Sequence, residues 1–141
     1  MLKGIDPLLG PDLLAALASM GHGDEVVIVD ANFPAVSVAA FTVLGRALRM
    51  DCDAPRAVAA VLSVLPVDEY EAEPVLTMQV VGAPDEVPPV VAEVLPLFTD
   101  HGTASLERFA FYARAKAGFA VIRTAETRPY GNFIIRKGVI N

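Results

Sequence analysis

A short run of β-branched residues near the start of the chain constrains the fold most. Residues 26–29, Val-Val-Ile-Val, stand together without a polar neighbour among them. Such a run is typical of a strand that is covered on both faces in a parallel sheet, because a half-exposed strand alternates apolar and polar residues. Asp30 follows directly. Since ligands of open α/β sheets bind outside the carboxyl ends of the strands, Asp30 is a candidate functional residue.

A histidine between two glycines precedes this strand. Leucines at helical spacing predict a first helix, with Leu13, Leu14 and Leu17 behind Pro11. Gly21 and Gly23 can adopt the left-handed conformation that ends such a helix, so His22 is predicted to lie on a tight turn. Histidine exchanges protons readily near neutral pH. We expect His22 and Asp30 to lie near one edge of the sheet, where together they could move protons.

Strand and helix patterns alternate along the rest of the chain. Helices are predicted at residues 53–66, where Asp53 is the N-cap and Pro66 the stop, and at 85–98, and strands at 46–50, 74–81, 119–124 and 133–135. Two segments stay open: residues 35–45 favour neither helix nor loop, and 105–117 are either a strand to Arg108 with a helix after it, or all helix. The alternation predicts an α/β fold, a single domain over residues 1–141 with a mostly parallel or mixed sheet flanked by helices.

Composition narrows the possible partners and the compartment. The 141 residues carry a net charge of −6 without a Lys/Arg cluster, which argues against nucleic acid and against anionic membrane surfaces. The single cysteine, Cys52, excludes an internal disulfide and fits a reducing compartment. No signal peptide or spanning segment is recognisable, so we expect a cytoplasmic protein. A mean hydropathy of +0.49 favours apolar contacts between subunits, and hence a homo-oligomer.

A few polar side chains stand near predicted strand ends or turns. They are His22, Asp30, Arg108 and the segment Tyr130-Gly131-Asn132. Guanidinium, amide, phenol and carboxylate groups together offer the mixture of donors and acceptors that a polyhydroxylated ligand such as a sugar needs. Taken singly, each has a simpler explanation: a turn histidine, a capping aspartate, a solvated arginine and a hairpin-type turn. No phosphate loop, dinucleotide fingerprint, nucleophile elbow or HExxH motif is present.

Four sequence motifs resemble the sugar mutarotases, the family of L-fucose mutarotase and D-ribose pyranase. They are MLKGIDPLL at residues 1–9, MGHGDE at 20–25 with DANFPA at 30–35, RFAFYARAK at 108–116, and PYGNFIIRKGV at 129–139. The motifs span nearly the whole chain in the family's order. Asn32 departs from the histidine that often follows Asp-Ala in this family. Gly131 is similar to the fucose branch, because ribose pyranases favour alanine there, so the resemblance favours L-fucose as the sugar.

The resemblance implies a function and a site. It implies that His22 is the proton donor, that Asp30 and Arg108 bind sugar, and that Tyr130, Gly131 and Asn132 form another part of the site. It further implies an α/β fold without metal or organic cofactor, and ring-shaped oligomers, often decamers, with sites near subunit boundaries. The activity would be the interconversion of the α and β anomers of a free monosaccharide.

Three alternatives stay open at this point. The chain could be a non-catalytic sugar-binding or regulatory module, or it could have D-ribose pyranase-type activity. It could also be a metal-dependent sugar isomerase in which His22, Asp30 and His101 are the ligands, although their spacing matches no known ligand pattern.

Overall fold

The chain forms one six-stranded mixed sheet with helices on both faces. A computed structural model describes all residues, 1–141. The strands are β1 Glu25–Val29, β2 Ala47–Met50, β3 Val75–Met78, β4 Thr103–Leu106, β5 Ala120–Thr124 and β6 Phe133–Arg136. The helices are α1 Pro11–Ser19, α2 Ala35–Ala39, α3 Ala54–Leu62, α4 Pro89–Val94 and α5 Arg108–Lys116, and a 3₁₀ turn at Leu95–Phe98 continues α4. The predicted α/β class with a mixed, mostly parallel sheet is confirmed. None of the helices combines the length and apolar character needed to cross a membrane.

The direction of one strand decides which residues meet. The strand order is β2-β5-β1-β6-β3-β4, and every neighbouring pair is parallel except the two pairs that β6 makes. Because β6 runs against the others, its first residue, Phe133, pairs with Ile28 near the carboxyl end of β1. Its last residue, Arg136, pairs with Glu25 at the amino end. The segment before β6 therefore lies at the carboxyl edge of the other strands, and the segment after β6 lies at the amino edge.

Strand β1 lies at the centre of two hydrophobic cores. Val26 and Ile28 pack into the core that contains α1, α3 and α4, whereas Val27 and Val29 pack into the core beneath α2 and α5. All four side chains are fully buried. The prediction of a strand covered on both faces is confirmed, and each end of β1 is consequently held rigidly by its neighbours.

Several predicted boundaries are wrong, and proline explains the clearest of them. The helix predicted at residues 85–98 begins only at Pro89 and ends in the 3₁₀ turn. Pro89 disfavours helical geometry at the residue before it, and Pro88 has ψ 149°, which is extended. The strand predicted at 74–81 is only four residues long. The helix that begins after Asp53 ends at Leu62, before Pro66.

The two open segments resolve in the structure. Residues 35–45 contain the five-residue helix α2 followed by turns. Residues 105–117 divide into the end of β4 and helix α5, and Arg108 is the first residue of that helix, with Glu107 as its N-cap. The segment 129–132 is no hairpin turn, because β1 lies between β5 and β6.

Candidate functional site

Asp30 lies at the carboxyl edge of the sheet and organises the turn that follows β1. Its Oδ1 accepts hydrogen bonds from the backbone N–H groups of Asn32 at 3.0 Å and Phe33 at 2.9 Å, and its Oδ2 accepts one from Gly131 at 3.2 Å. The residue is only 5% exposed. Burial raises the pKa of Asp30, and these N–H donors offset only part of that effect. Oδ2 keeps one acceptor position that no group of the chain occupies.

The segment before β6 completes this edge beside Asp30. The side-chain oxygen of Asn132 accepts a hydrogen bond from the Asp30 N–H at 3.0 Å, and both residues are buried. Tyr130 has a positive φ of 64°, a conformation that is costly for a tyrosine and is common at functional sites. The Tyr130 hydroxyl accepts a hydrogen bond from Val81 N at 3.1 Å, so its own proton is free to be donated. Asp30, Tyr130, Gly131 and Asn132 are thus brought together as predicted.

Arg108 lies at the same edge, after β4. Its guanidinium stacks on the Phe109 ring at 4.6 Å, and its buried Nε has no hydrogen-bond partner. A buried donor without a partner is costly and is commonly matched by a ligand. A cavity of about 240 Å³ opens here, lined by residues 79–82 and 84 together with Glu107 and Arg108. It is smaller than the roughly 300–1,000 Å³ of usual ligand pockets, so one chain builds an incomplete pocket.

His22 lies at the opposite, amino edge of the sheet, so the expectation that it shares an edge with Asp30 is wrong for a single chain. His22 precedes β1 and Asp30 follows it. At about 3.3 Å per residue, a five-residue strand separates its ends by roughly 15 Å. No hydrogen bond of His22 reaches Asp30 or Asn132; its partner is Asp68, with 3.0 Å between Nε2 and Oδ1.

Asp68 fixes which nitrogen of His22 carries the proton. An ionised carboxylate can only accept, so Nε2 is the donor and Nδ1 is left free. Asp68 is fully buried, which by itself would raise its pKa, but hydrogen bonds from His22, from Arg136 and from the N–H groups of Tyr70 and Glu71 lower that pKa to about 2. The carboxylate is therefore ionised at neutral pH and holds the imidazole in one tautomer.

Side chains from the end of β6 support the His22 turn. Lys137 Nζ donates to the backbone oxygens of Leu17 at 2.8 Å and Met20 at 2.6 Å, which are carbonyls at the end of α1. Gly23 has the predicted positive φ, at 88°, whereas Gly21 does not. A Cβ at Gly23 would lie 2.8 Å from Nη2 of Arg136. The imidazole itself is 42% exposed, with the Tyr70 ring 5.3 Å from its own.

Sequence reasoning missed Asp68, Glu126 and Arg128. Asp68 contacts His22 and Arg136 across 46 and 68 residues of sequence, and Glu126 is 3% exposed and paired with Arg128. No local pattern marks the distant partners of Asp68, and nothing in the sequence marks the Glu126 carboxylate as buried, although Arg128 is only two residues away.

Two further features bear on the kind of site. No three metal-ligating side chains cluster within one chain, so His22, Asp30 and His101 of the same chain form no ligand set for a metal. A cavity of about 460 Å³ lies between the N-terminal segment and α1 and is mostly apolar. The one carboxylate of this cavity, Asp6, is already paired with Arg56 at 2.6 Å. The cavity therefore has few free hydrogen-bonding groups for a hydroxylated ligand.

Comparisons with known proteins agree over the full length of the chain. The sequence model of the RbsD / FucU transport protein family matches residues 3–140. The fucose mutarotase of Homo sapiens is 44% identical, covering 99% of this chain and 94% of the relative. The solved fucose mutarotase of Streptococcus pneumoniae in complex with L-fucose has a TM-score of 0.85 at 35% identity, covering 99% of this chain and 100% of that one. RbsD of Bacillus subtilis complexed with D-ribose has a TM-score of 0.75 at 25% identity, with both chains fully covered.

Proposed function

Because the chain belongs to the RbsD / FucU transport protein family, we propose that it is a mutarotase that interconverts the α and β anomers of L-fucose. The observation that carries this proposal is the 44% identity to a fucose mutarotase over nearly the whole of both chains. L-fucose is favoured over D-ribose because the ribose-bound neighbour is only 25% identical, whereas the fucose-bound one is 35% identical.

Anomer exchange needs only an acid and a base. The ring opens when the anomeric hydroxyl, O1–H, loses its proton to a base while the ring oxygen gains a proton from an acid. The bond between C1 and C2 then rotates, and ring closure reverses both transfers. Neither bond change requires an oxidant, a metal or a leaving group. Two titratable groups placed on either side of the hemiacetal therefore suffice.

His22 is the acid in this scheme. Asp68 accepts the Nε2 proton, so the acid is the doubly protonated ring, which carries a second proton on Nδ1; that Nδ1 proton goes to the ring oxygen on opening, and Nδ1 takes it back on closure. Tyr130 is a candidate for the opposing group at O1: its phenolate oxygen, to which Val81 N–H donates, would take the O1 proton on ring opening, and the hydroxyl would return it on closure. Water or Asp30 could equally serve as that group, and an acid/base pair of this kind contributes about 10²–10⁴-fold.

The carboxyl edge binds the sugar hydroxyls. Asp30 Oδ2 has one acceptor position left, and the unpartnered Nε of Arg108 is a donor. The Gly131 N–H donates to Asp30 Oδ2, and Asn132 keeps the Asp30 backbone in place. Together these groups hold the open-chain aldehyde until the ring closes on its other face.

The complete site is shared between neighbouring copies of a homo-oligomer. Two features support this arrangement: His22 and Asp30 lie at opposite edges of one chain, and the pocket at the carboxyl edge is small. We call the His22 turn at the amino edge and the Asp30 and Arg108 groups at the carboxyl edge the two half-sites. Exposed apolar side chains flank both of them. Tyr70 beside His22 is 76% exposed, and Val81 and Phe109 beside Arg108 are 60% and 63% exposed. A closed ring, with a decamer as the family's expected size, would pair each His22 with a neighbour's Asp30. We place this activity in the cytoplasm.

The decisive experiment is exchange spectroscopy by NMR on L-fucose at anomeric equilibrium. We expect the parent protein to accelerate exchange, His22→Ala to lower that acceleration by about 10²–10⁴-fold, and His101→Ala to retain it. His101 is the matched control, because it is the only other histidine and lies outside both half-sites.

The other outcomes separate the alternatives. A His22→Ala protein that is as fast as the parent would show that the acid assignment is wrong. Saturable fucose binding without faster exchange would identify a sugar-binding module, and faster exchange with ribose than with fucose would identify a ribose pyranase.

A further inference from the structure

A buried carboxylate lies beside the sugar site without a role in the proton transfers. Glu126, in the segment between β5 and β6, has a side chain that is only 4% exposed. Its two oxygens accept from Arg128, with 2.8 Å from Nη2 to Oε1 and 3.1 Å from Nε to Oε2. These hydrogen bonds lower the pKa of Glu126, so it is a buried, paired anion at neutral pH. Burying an ion pair is costly, and a buried pair often fixes one arrangement of the chain.

The backbone of Glu126 is tied to both sides of Asp30. Its carbonyl oxygen accepts a hydrogen bond from Ala31 N at 2.9 Å, on one side of Asp30. Its N–H donates to Thr124 Oγ1 at 3.2 Å, and that hydroxyl donates to Val29 O at 2.8 Å, on the other side. The exit of β1 and the segment that carries Glu126 are therefore joined by hydrogen bonds on both sides of Asp30.

The side chain of Glu126 forms the wall behind Gly131. A Cβ at Gly131 would lie 3.0 Å from Glu126 Cγ and 3.4 Å from Asp30 Cβ. Gly131 is thus packed between the Glu126 stem and Asp30, and this packing directs its N–H to Asp30 Oδ2. A shift of Glu126 would change that contact.

Glu126 and its partner Arg128 also contact two helices. Glu126 Oε1 accepts from Ala54 N, the first residue of α3, at 3.3 Å, and Arg128 Nη1 contacts Glu93 of α4 at 2.6 Å. The first N–H groups of a helix lack partners within that helix, so a buried carboxylate there is well placed. Glu126 connects the sugar edge to the rigid helices beneath it.

We propose that Glu126 is a positioning residue of the sugar site, which holds Gly131 and the backbone on either side of Asp30 in the geometry that orients the Asp30 carboxylate. Glu126 contacts no substrate; it acts through Gly131 and through the backbone on either side of Asp30. As far as it concerns sugar, this inference rests on the proposed function. It assigns to Glu126 control of sugar affinity, separate from the chemistry at His22.

The test compares two substitutions that each remove one carboxylate from Arg128. Glu126→Gln removes the buried one, and Glu93→Gln removes the one at the exposed end, where the side chain is 52% exposed and borders neither Gly131 nor Asp30. In NMR titration and saturation kinetics with L-fucose, Glu126→Gln is expected to raise Kd and KM by about tenfold or more, because a misplaced binding group costs much of its effect. A smaller change in kcat is expected, and Glu93→Gln should stay close to the parent.

A second readout needs no sugar. Hydrogen exchange of the Gly131 amide, measured in the free folded protein, is expected to be faster in Glu126→Gln and unchanged in Glu93→Gln. Glu126→Asp keeps the charge and should recover part of both properties. If Glu126→Gln does not fold, the same two measurements are made on Glu126→Asp.

The outcomes distinguish this inference from the proposed function. A lower unfolding temperature with parent-like Gly131 exchange and parent-like fucose affinity would overturn the inference and make Glu126 a packing residue. A parent protein that neither binds fucose nor accelerates anomer exchange would overturn the proposed function, while the Gly131 amide would still decide whether Glu126 positions this edge.

Discussion

A carboxylate that accepts four hydrogen bonds determines the chemistry of one imidazole. Asp68 has no exposed surface, and its partners are His22, Arg136 and two backbone N–H groups. Such saturation keeps Asp68 ionised, and an ionised Asp68 keeps the His22 proton on Nε2. The nitrogen available to a sugar is therefore Nδ1, on a side chain that is 42% exposed.

The depressed pKa of Asp68 predicts a pH dependence of stability. Its ordinary value is 3.8 and its value in the folded protein is about 2, so the unfolded chain binds more protons between these values. We expect the free energy of unfolding to fall as pH falls from about 4 towards 2, and Asp68→Asn to remove part of this slope. Denaturant unfolding at pH 5, 4 and 3 measures it.

The matched control for this prediction is the exposed Asp100. Asp100→Asn is expected to unfold with the parent's pH slope. An Asp68→Asn protein with the full parental slope between pH 5 and 3 would mean that another carboxyl group is responsible.

At the scale of secondary structure, β6 connects the two half-sites. The segment entering it contributes Tyr130, Gly131 and Asn132 to the carboxyl edge. Arg136, its last residue, binds Asp68 at the amino edge, and Lys137 follows with contacts to the end of α1. Because β6 is antiparallel to its neighbours, the segment before it lies at their carboxyl edge and the segment after it lies at their amino edge. The flanks of this one strand therefore support both edges.

The turn that precedes β1 should tolerate alanine at one glycine and not at the other. Gly23→Ala places a Cβ 2.8 Å from Arg136 in a backbone with φ of 88°, so we expect a loss of about 1–3 kcal/mol in unfolding free energy and slower fucose exchange. Gly21→Ala is the control, because Gly21 has no positive φ and its Cβ would lie 3.7 Å from Asp24. Denaturant melts of both variants test this, and equal losses would contradict it.

Local patterns predicted the elements well and their arrangement poorly. The buried run in β1 and the Asp53 cap of α3 are local signals, and both predictions are confirmed. The direction of β6 depends on contacts between distant segments, which no window of sequence contains. The separation of His22 from Asp30 was deducible, because two residues that flank one strand lie at its opposite ends.

At the scale of the whole molecule, each chain carries two different half-sites. The amino edge supplies an imidazole on a supported turn, and the carboxyl edge supplies the hydrogen-bonding groups that we propose bind the sugar. Neither edge has both. Exposed aromatic rings beside each edge, Tyr70 and Phe109, are suited to contact with another copy of the chain.

Subunit complementation tests the sharing of sites. His22→Ala and Asp30→Asn are each expected to be nearly inactive alone. If the two are dissociated, mixed in equal amounts and reassembled, about one quarter of the shared sites should combine an intact His22 with an intact Asp30. Exchange spectroscopy on L-fucose measures the recovered rate. No recovery in a verified mixed oligomer would show that each site belongs to one chain.

The direction of β1 limits which assemblies of this chain can have complete sites. A subunit that offers its histidine at one edge and receives a neighbour's at the other can do so reciprocally in a two-fold pair or by head-to-tail contacts, which either close into a ring or extend without limit. In an open filament, the carboxyl edge of the first copy and the histidine of the last copy have no partner. Only a closed assembly gives every copy a complete site. The direction of the five-residue strand β1 would therefore favour closed assemblies over open ones.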